Sequence, residues 1–176
     1  MTRQPIPVQD FTVRPHHIWA EQWMLLTAGD FTQKRFNTMT VGWGSLGTMW
    51  NKPFAHIVVR PGRYTYEFTE QFDTFTLSVL PETHRKALQI LGTKSGRDGD
   101  KIAEAGLTPI ASSTVAAPAF DEAELILECR KLYRQIMDPT CFLAPDIDTN
   151  YPAKDYHTIY YGEIVAVQGT ERVTLL

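Results

Sequence analysis

Two short segments of this chain combine residue types that suit an anion. Arg60-Pro61-Gly62-Arg63-Tyr64-Thr65-Tyr66 places two arginines and a hydroxyl beside a helix start, at the end of an apolar run. Guanidinium forks pair bidentately with phosphate, and the first amides of a helix point at anions. Taken alone, the same stretch also describes a solvated turn with surface arginines. Lys94-Ser95-Gly96-Arg97-Asp98-Gly99-Asp100-Lys101 is a basic, hydroxyl-bearing, glycine-containing loop ahead of a second helix. It too suits an anion, although it equally describes a capped helix start, and Asp98 and Asp100 weaken its positive field.

Other motifs fail on context. Gly42-Trp43-Gly44-Ser45-Leu46-Gly47 spells GxGxxG, but that fingerprint needs a crossover helix after it. Thr48 to Pro53 is too short and irregular for one. The segment reads instead as a glycine-rich strand end approached closely by backbone or ligand. It also fails the GxSxG elbow, since Trp43 stands where the first glycine belongs. The five histidines are His16, His17, His56, His84 and His157. They do not cluster, no HExxH occurs, and no metal site is expected. Cys129 sits among apolar neighbours as a small buried hydrophobe. Cys141 lies in a loop without an activating base.

Mostly strands must position these residues. Trp23 to Ala28 and Phe36 to Trp43 read as a hairpin around the polar GDFTQKR stretch. Phe54 to Arg60 is a third strand, stopped by Pro61-Gly62. In Asp73 to Val79, Phe75, Leu77 and Val79 alternate with Thr74, Thr76 and Ser78. Two helices interrupt: Thr83 to Leu91, capped by Thr83 and ending at Gly92, and Asp98 to Ala105, capped by Asp98 with Gly106 beyond its end. Glu124 to Ile136 alternates except at Ile126. Asp138 to Asp155 is a long loop, and Tyr156 to Gln168 a long aromatic strand. Strands, then helices, then strands give a mainly β (α+β) reading, an antiparallel barrel with helical insertions.

The whole chain bounds the function. Its 176 residues suffice for one domain with a core that needs no disulfide or metal. The net charge of -3, with no basic run, argues against nucleic acid. No segment approaches a membrane span, and the N-terminus lacks a signal-peptide pattern, so a cytoplasmic protein is expected.

Four blocks in order carry a family resemblance. Asn37 to Gly44 resembles the N-x-M-T-x-x-W strand of the flavin reductase-like, FMN-binding split-barrel family. Arg60 to Phe68 is similar to its phosphate-binding turn. Lys94 to Leu107 is similar to its S-G-R-D-x-D-K-x-x-E-A-G-L block, and His157 to Ile164 to its H-x-x-x-x-G-E-I strand. The flavoredoxin-like branch looks closest.

The resemblance implies a Greek-key split barrel over residues 1–176 and a homodimer holding FMN at the subunit boundary. It implies that Asn37, Thr38, Met39, Thr40, Trp43 and Ser45 meet the flavin, and that Arg60, Arg63, Tyr64 and Thr65 meet its phosphate. Lys94, Ser95 and Gly96 would close over it from the same or the partner subunit. Arg97 and Lys101 either join them or pair with the neighbouring aspartates. The implied activity is hydride transfer from NADH or NADPH to flavin, with electrons passed to an acceptor protein or free flavin. A non-catalytic FMN carrier reduced by a partner, and a barrel that has lost flavin, are the alternatives. His157 is the substrate-side candidate, and no acid or base is required. The family reads G-D-H where this chain has Asp155-Tyr156-His157, a displaced aspartate that counts against nicotinamide binding.

Overall fold

The structure, a computed structural model, describes residues 2–171 and 173. Its main sheet has eight strands: β1 (Gln4–Pro5), β2 (Met24–Asp30), β3 (Arg35–Val41), β4 (Gly44–Met49), β5 (Lys52–Val59), β6 (Thr74–Val79), β9 (Leu125–Ile136) and β10 (Thr158–Gly169). A small separate ribbon pairs β7 (Pro109–Ile110) with β8 (Ala119–Phe120). The main order is β3-β2-β6-β9-β10-β5-β4, with β1 added to β10, and every pairing is antiparallel. The edges, β3 and β4, are consecutive in the chain and joined only by Gly42 and Trp43, yet they form no ladder. The sheet is therefore an open, split barrel.

Local chemistry explains the hairpins. Between β2 and β3, the Asp30 carboxylate accepts from the Thr32 amide (2.8 Å), the Thr32 hydroxyl (2.6 Å) and the Gln33 amide (3.1 Å), an Asx-type turn. These bonds, led by the Thr32 hydroxyl, hold its carboxyl below the usual carboxylate range. Gly29 has φ +131°, and a Cβ there would stand 2.3 Å from the Arg35 carbonyl, so only glycine fits. Between β4 and β5 the loop is Trp50-Asn51, with φ of 52° and 58°. Two consecutive positive φ values match the twist of a two-residue hairpin.

β4 escapes sequence reading because Gly44-Ser-Leu-Gly-Thr-Met shows no alternation of large apolar residues, and Thr48 to Pro53 proves to be a strand end and tight turn. Gly44 is nonetheless demanded by packing, since a Cβ would lie 2.3 Å from the His56 carbonyl and 2.4 Å from Trp19.

Two apolar cores meet across the sheet. Leu26, Met39, Phe75, Leu77, Leu127 and Tyr160 fill the barrel. Leu25, Leu80, Leu88, Leu91, Phe120 and Ile126 form a second core under the helices. This is why Ile126 breaks its alternation: both faces of that part of β9 are buried. Cys129 is fully buried on β9, where burial and then the Glu128 charge push its thiol up. Cys141 is exposed.

The helices are α1 (Pro15–His17, continued by a π turn over Ile18–Gln22), α2 (Tyr64–Gln71), α3 (Arg85–Thr93) and α4 (Lys101–Glu104). Two expected boundaries move. α3 follows a 3-10 turn at Glu82–His84 with no side-chain cap, so Thr83 does not cap it. It also runs through Gly92, whose bare Cα packs beside Thr40. α4 is capped by Asp100, not Asp98: the Asp100 carboxylate accepts from the Ile102 and Ala103 amides at 3.2 and 3.0 Å. The Asp138–Asp155 segment is a loop with two 3-10 turns.

Candidate functional site

A cleft of about 420 Å³ opens where the barrel is split. One wall is the end of edge strand β3 and the seam, Met39 to Trp43; the opposite wall carries Val58, Arg60, Arg63 and His157. An edge strand leaves alternate N–H and C=O groups without a ladder partner. The β3 wall can therefore offer main-chain donors and acceptors to a flat polar molecule.

Six expected site residues converge here: Met39, Thr40, Trp43, Arg60, Arg63 and His157. Trp43 is half-exposed at the rim, its ring 5.4 Å from that of His157. Arg63 Nη2 donates to the Gly92 carbonyl at 2.6 Å, at the end of α3. Arg63 is also the N-cap residue of α2, and no side chain caps that helix. An uncapped helix start next to a guanidinium is an anion-binding arrangement.

Arg60 is differently employed. Its guanidinium meets Asp155 at 3.3 Å, donates to the Asn150 carbonyl at 2.7 Å and lies 5.0 Å from the Tyr151 ring centre. Asp155 balances its charge, and the arginine fastens the long loop to the cleft.

The remaining expected residues gather elsewhere. Asn37, Tyr64, Thr65 and Gly96 meet just beyond the cleft along β3. Asn37 Nδ2 donates to Thr65 Oγ1 at 2.8 Å, and a Cβ on Gly96 would reach 2.4 Å from Asn37 Oδ1. Lys94 pairs with Glu104, and Ser95 Oγ accepts from the Arg97 amide at 3.2 Å; both line a separate polar hollow with Asp98 and Asp100. Thr38 is buried between β2 and β3, donating to the Leu26 carbonyl, and Ser45 meets His56 on β4. The structure does not bring Thr38, Ser45, Lys94 or Ser95 to the cleft. Nor do Arg97 and Lys101 pair with their neighbouring aspartates. Arg97 pairs with Glu67 at 2.6 Å and covers the Tyr64 ring. Lys101 is buried, and its ammonium donates to the Leu91 and Lys94 carbonyls at 3.1 and 3.0 Å. Burial, then the Arg63 charge, lowers its pKa to about 8. Among the described residues no three His, Cys, Asp or Glu side chains group as a metal site would need.

Residues 19–176 match the family model of the flavin reductase like domain. The chain belongs to that family. A curated relative, an uncharacterized protein of Pyrococcus abyssi, is 26% identical over 133 aligned residues, with 74% of this chain covered. The matched part spans 64% of that relative's length. Solved structures share the split-barrel fold. The FMN-binding domain of a flavin reductases-like enzyme from Shewanella baltica superposes with a TM-score of 0.70 at 16% identity, covering 96% of this chain and 77% of that one. Flavoredoxin of Desulfovibrio vulgaris gives 0.66 at 22% identity, covering 88% and 72%. No helix among the described residues is long and apolar enough to cross a membrane.

Sequence reading of this flavin reductase-like chain missed Tyr151, which has no motif around it and is brought behind the cleft-lining His157 only through the folding of the long loop. Its hydroxyl lies 2.8 Å from His157 Nδ1. Burial first, and then the Arg60 charge, hold His157 far below the ordinary imidazole range, at about 4. The unfolded chain thus takes up this proton near pH 6.5 while the folded chain resists it. Stability falls as pH drops from about 6.5 to about 4, by up to about 3 kcal/mol, and this contribution is then fully lost. Denaturant melts across that range should show the loss in the wild type and a smaller one in His157→Gln.

Proposed function

We propose that this chain binds FMN in the seam cleft and works as an oxidoreductase of flavin reductase type, using NADH or NADPH. The observation that carries the reading is the joining, in one cleft, of an unladdered strand edge to Arg63, the N-cap residue of α2, whose start lies just beyond and has no side-chain cap. The cleft volume lies within the 300–1,000 Å³ typical of ligand sites. Arg63 and the first amides of α2 would hold the phosphate; the Met39–Gly42 backbone would meet the polar ring edge; Trp43 and Val58 would cover the ring. When bound, FMN supplies the hydride and electron chemistry. The chain's own task is to bind, orient and partly shield it.

One observation favours a second reading, a non-catalytic FMN carrier reduced by a partner: Asp155 is committed to Arg60 and is not free to meet a nicotinamide donor. The visible spectrum of the purified protein separates the two. FMN-type absorption that bleaches on adding NADH or NADPH supports the reductase. Bound FMN that neither nucleotide reduces supports the carrier. A colourless protein that does not take up added FMN refutes both.

A homodimer with the cleft at its boundary is part of the proposal. It is supported by the half-exposed Trp43 at the rim and by exposed Trp50, 6.1 Å from the exposed Tyr133 ring on β9. Light scattering should give the mass of two chains; a monomer that still holds FMN would contradict it.

A further inference from the structure

The long loop places one buried polar group, the Tyr151 hydroxyl, behind the cleft-lining His157. Tyr151 is buried, its ring near those of Phe142 (6.0 Å) and Tyr156 (5.0 Å) and beneath the Arg60 guanidinium. Besides His157 Nδ1, its hydroxyl has only the Met137 thioether at 3.5 Å as a partner among the described residues. The proton between Tyr151 and His157 could sit on either. If Nδ1 held it, the phenol would have to donate to sulfur, a weak acceptor. An imidazole nitrogen is the better acceptor, and the Arg60 cation over the ring strengthens the phenol as a donor. The phenol donates, then, and Nδ1 is bare. In a neutral imidazole the other nitrogen must carry the hydrogen. His157 lines the cleft while Nδ1 faces the buried hydroxyl, so the cleft side receives Nε2.

From this we infer that Tyr151 is a positioning residue: it locks His157 in the Nε2–H tautomer and so gives the cleft a fixed, uncharged hydrogen-bond donor beside Trp43. The inference extends the FMN-cleft reading and rests on it for the identity of the occupant. The donor suits a carbonyl oxygen or unprotonated ring nitrogen of a flat molecule. Because the imidazole stays neutral, the donor is constant through neutral pH. The charged or titratable groups around it are Arg60 and Arg63, which oppose protonation, Asp155, which favours it, and Tyr151 itself.

The tautomer is readable without any flavin. The full chain, labelled with 15N-histidine, gives long-range proton–nitrogen correlations for His157, assigned by their absence in His157→Gln. At pH 7 the expected pattern is a protonated-type Nε2 and a bare-type Nδ1. In Tyr151→Phe the pattern should shift toward a mixture of tautomers. A proton on Nδ1 in the wild type, or an unchanged pattern in a folded Tyr151→Phe, overturns the inference. If Tyr151→Phe does not fold, the wild-type spectrum still decides, and Met137→Leu must keep Nε2–H; its loss there overturns the inference. FMN is then titrated into the same sample. Movement of the Nε2 signal supports a donor in reach of the ligand, and FMN bound with no movement overturns that role. Absence of FMN binding, seen in the visible spectrum, refutes the proposed function instead and leaves the tautomer result standing.

Discussion

Arg63→Met is expected to weaken FMN binding about 10- to 100-fold, read by quenching of flavin fluorescence on titration. Hydrogen bonds to charged groups contribute about 1.5–3 kcal/mol, and about 1.4 kcal/mol is a factor of ten in affinity. Arg63 is the cation beside the uncapped start of α2. It also donates to the Gly92 carbonyl, so some loss of stability is expected, and a thermal melt separates that from lost affinity. Arg60→Ala should cost much less affinity, because Asp155 already balances the Arg60 charge. Its main effect should be faster proteolysis within residues 138–155, since Arg60 holds that loop through Asn150, Tyr151 and Asp155. Unchanged affinity in Arg63→Met would place the phosphate end elsewhere. Equal losses from both variants would overturn the distinction between the two arginines.

Glu128→Leu should be the most destabilising single change away from the cleft. Glu128 is fully buried on β9, and its carboxylate receives five donors. These are the Ser113 amide and hydroxyl, each at 2.8 Å, the Thr114 amide at 2.7 Å, the Val115 amide at 3.3 Å and the Gln168 side chain at 3.2 Å. These bonds fasten the 111–118 segment to the barrel. An apolar replacement leaves several of the donors unpaired at roughly 1–3 kcal/mol each, partly relieved by water. A total of about 4 kcal/mol is expected, or roughly 8–16 °C in Tm for a chain of this size. Glu128→Gln keeps one acceptor oxygen and should recover part of the loss. A drop below about 1 kcal/mol in Glu128→Leu would mean that the segment is held by other contacts.

The sequence by itself determined the elements whose information is local. Asp30 with Gly29 marks the first hairpin; Pro61-Gly62 stops β5; alternation in β6 gives a strand; and the four ordered blocks point to the split barrel and to a wider set of candidate residues, of which Met39, Thr40, Trp43, Arg60, Arg63 and His157 line the cleft. What the sequence misplaced has a physical cause in each case. β4 lacks a pattern because its first glycine, Gly44, answers to neighbours, the His56 carbonyl and Trp19, that lie elsewhere along the chain. Gly92 looks like a helix stop, yet the helix continues because Lys101 and Arg63 satisfy carbonyls at its end. Asp100 wins over Asp98 as a cap because only its carboxylate reaches the next amides. Only the tertiary structure decided how the charges and protons of the cleft are shared. Arg60 and Arg63 look equivalent in sequence, three residues apart, and the loop that neutralises Arg60 lies about ninety residues away. Tyr151 has no motif at all. Its meaning comes from burial against His157, a contact fixed by long-range packing and therefore absent from any local pattern.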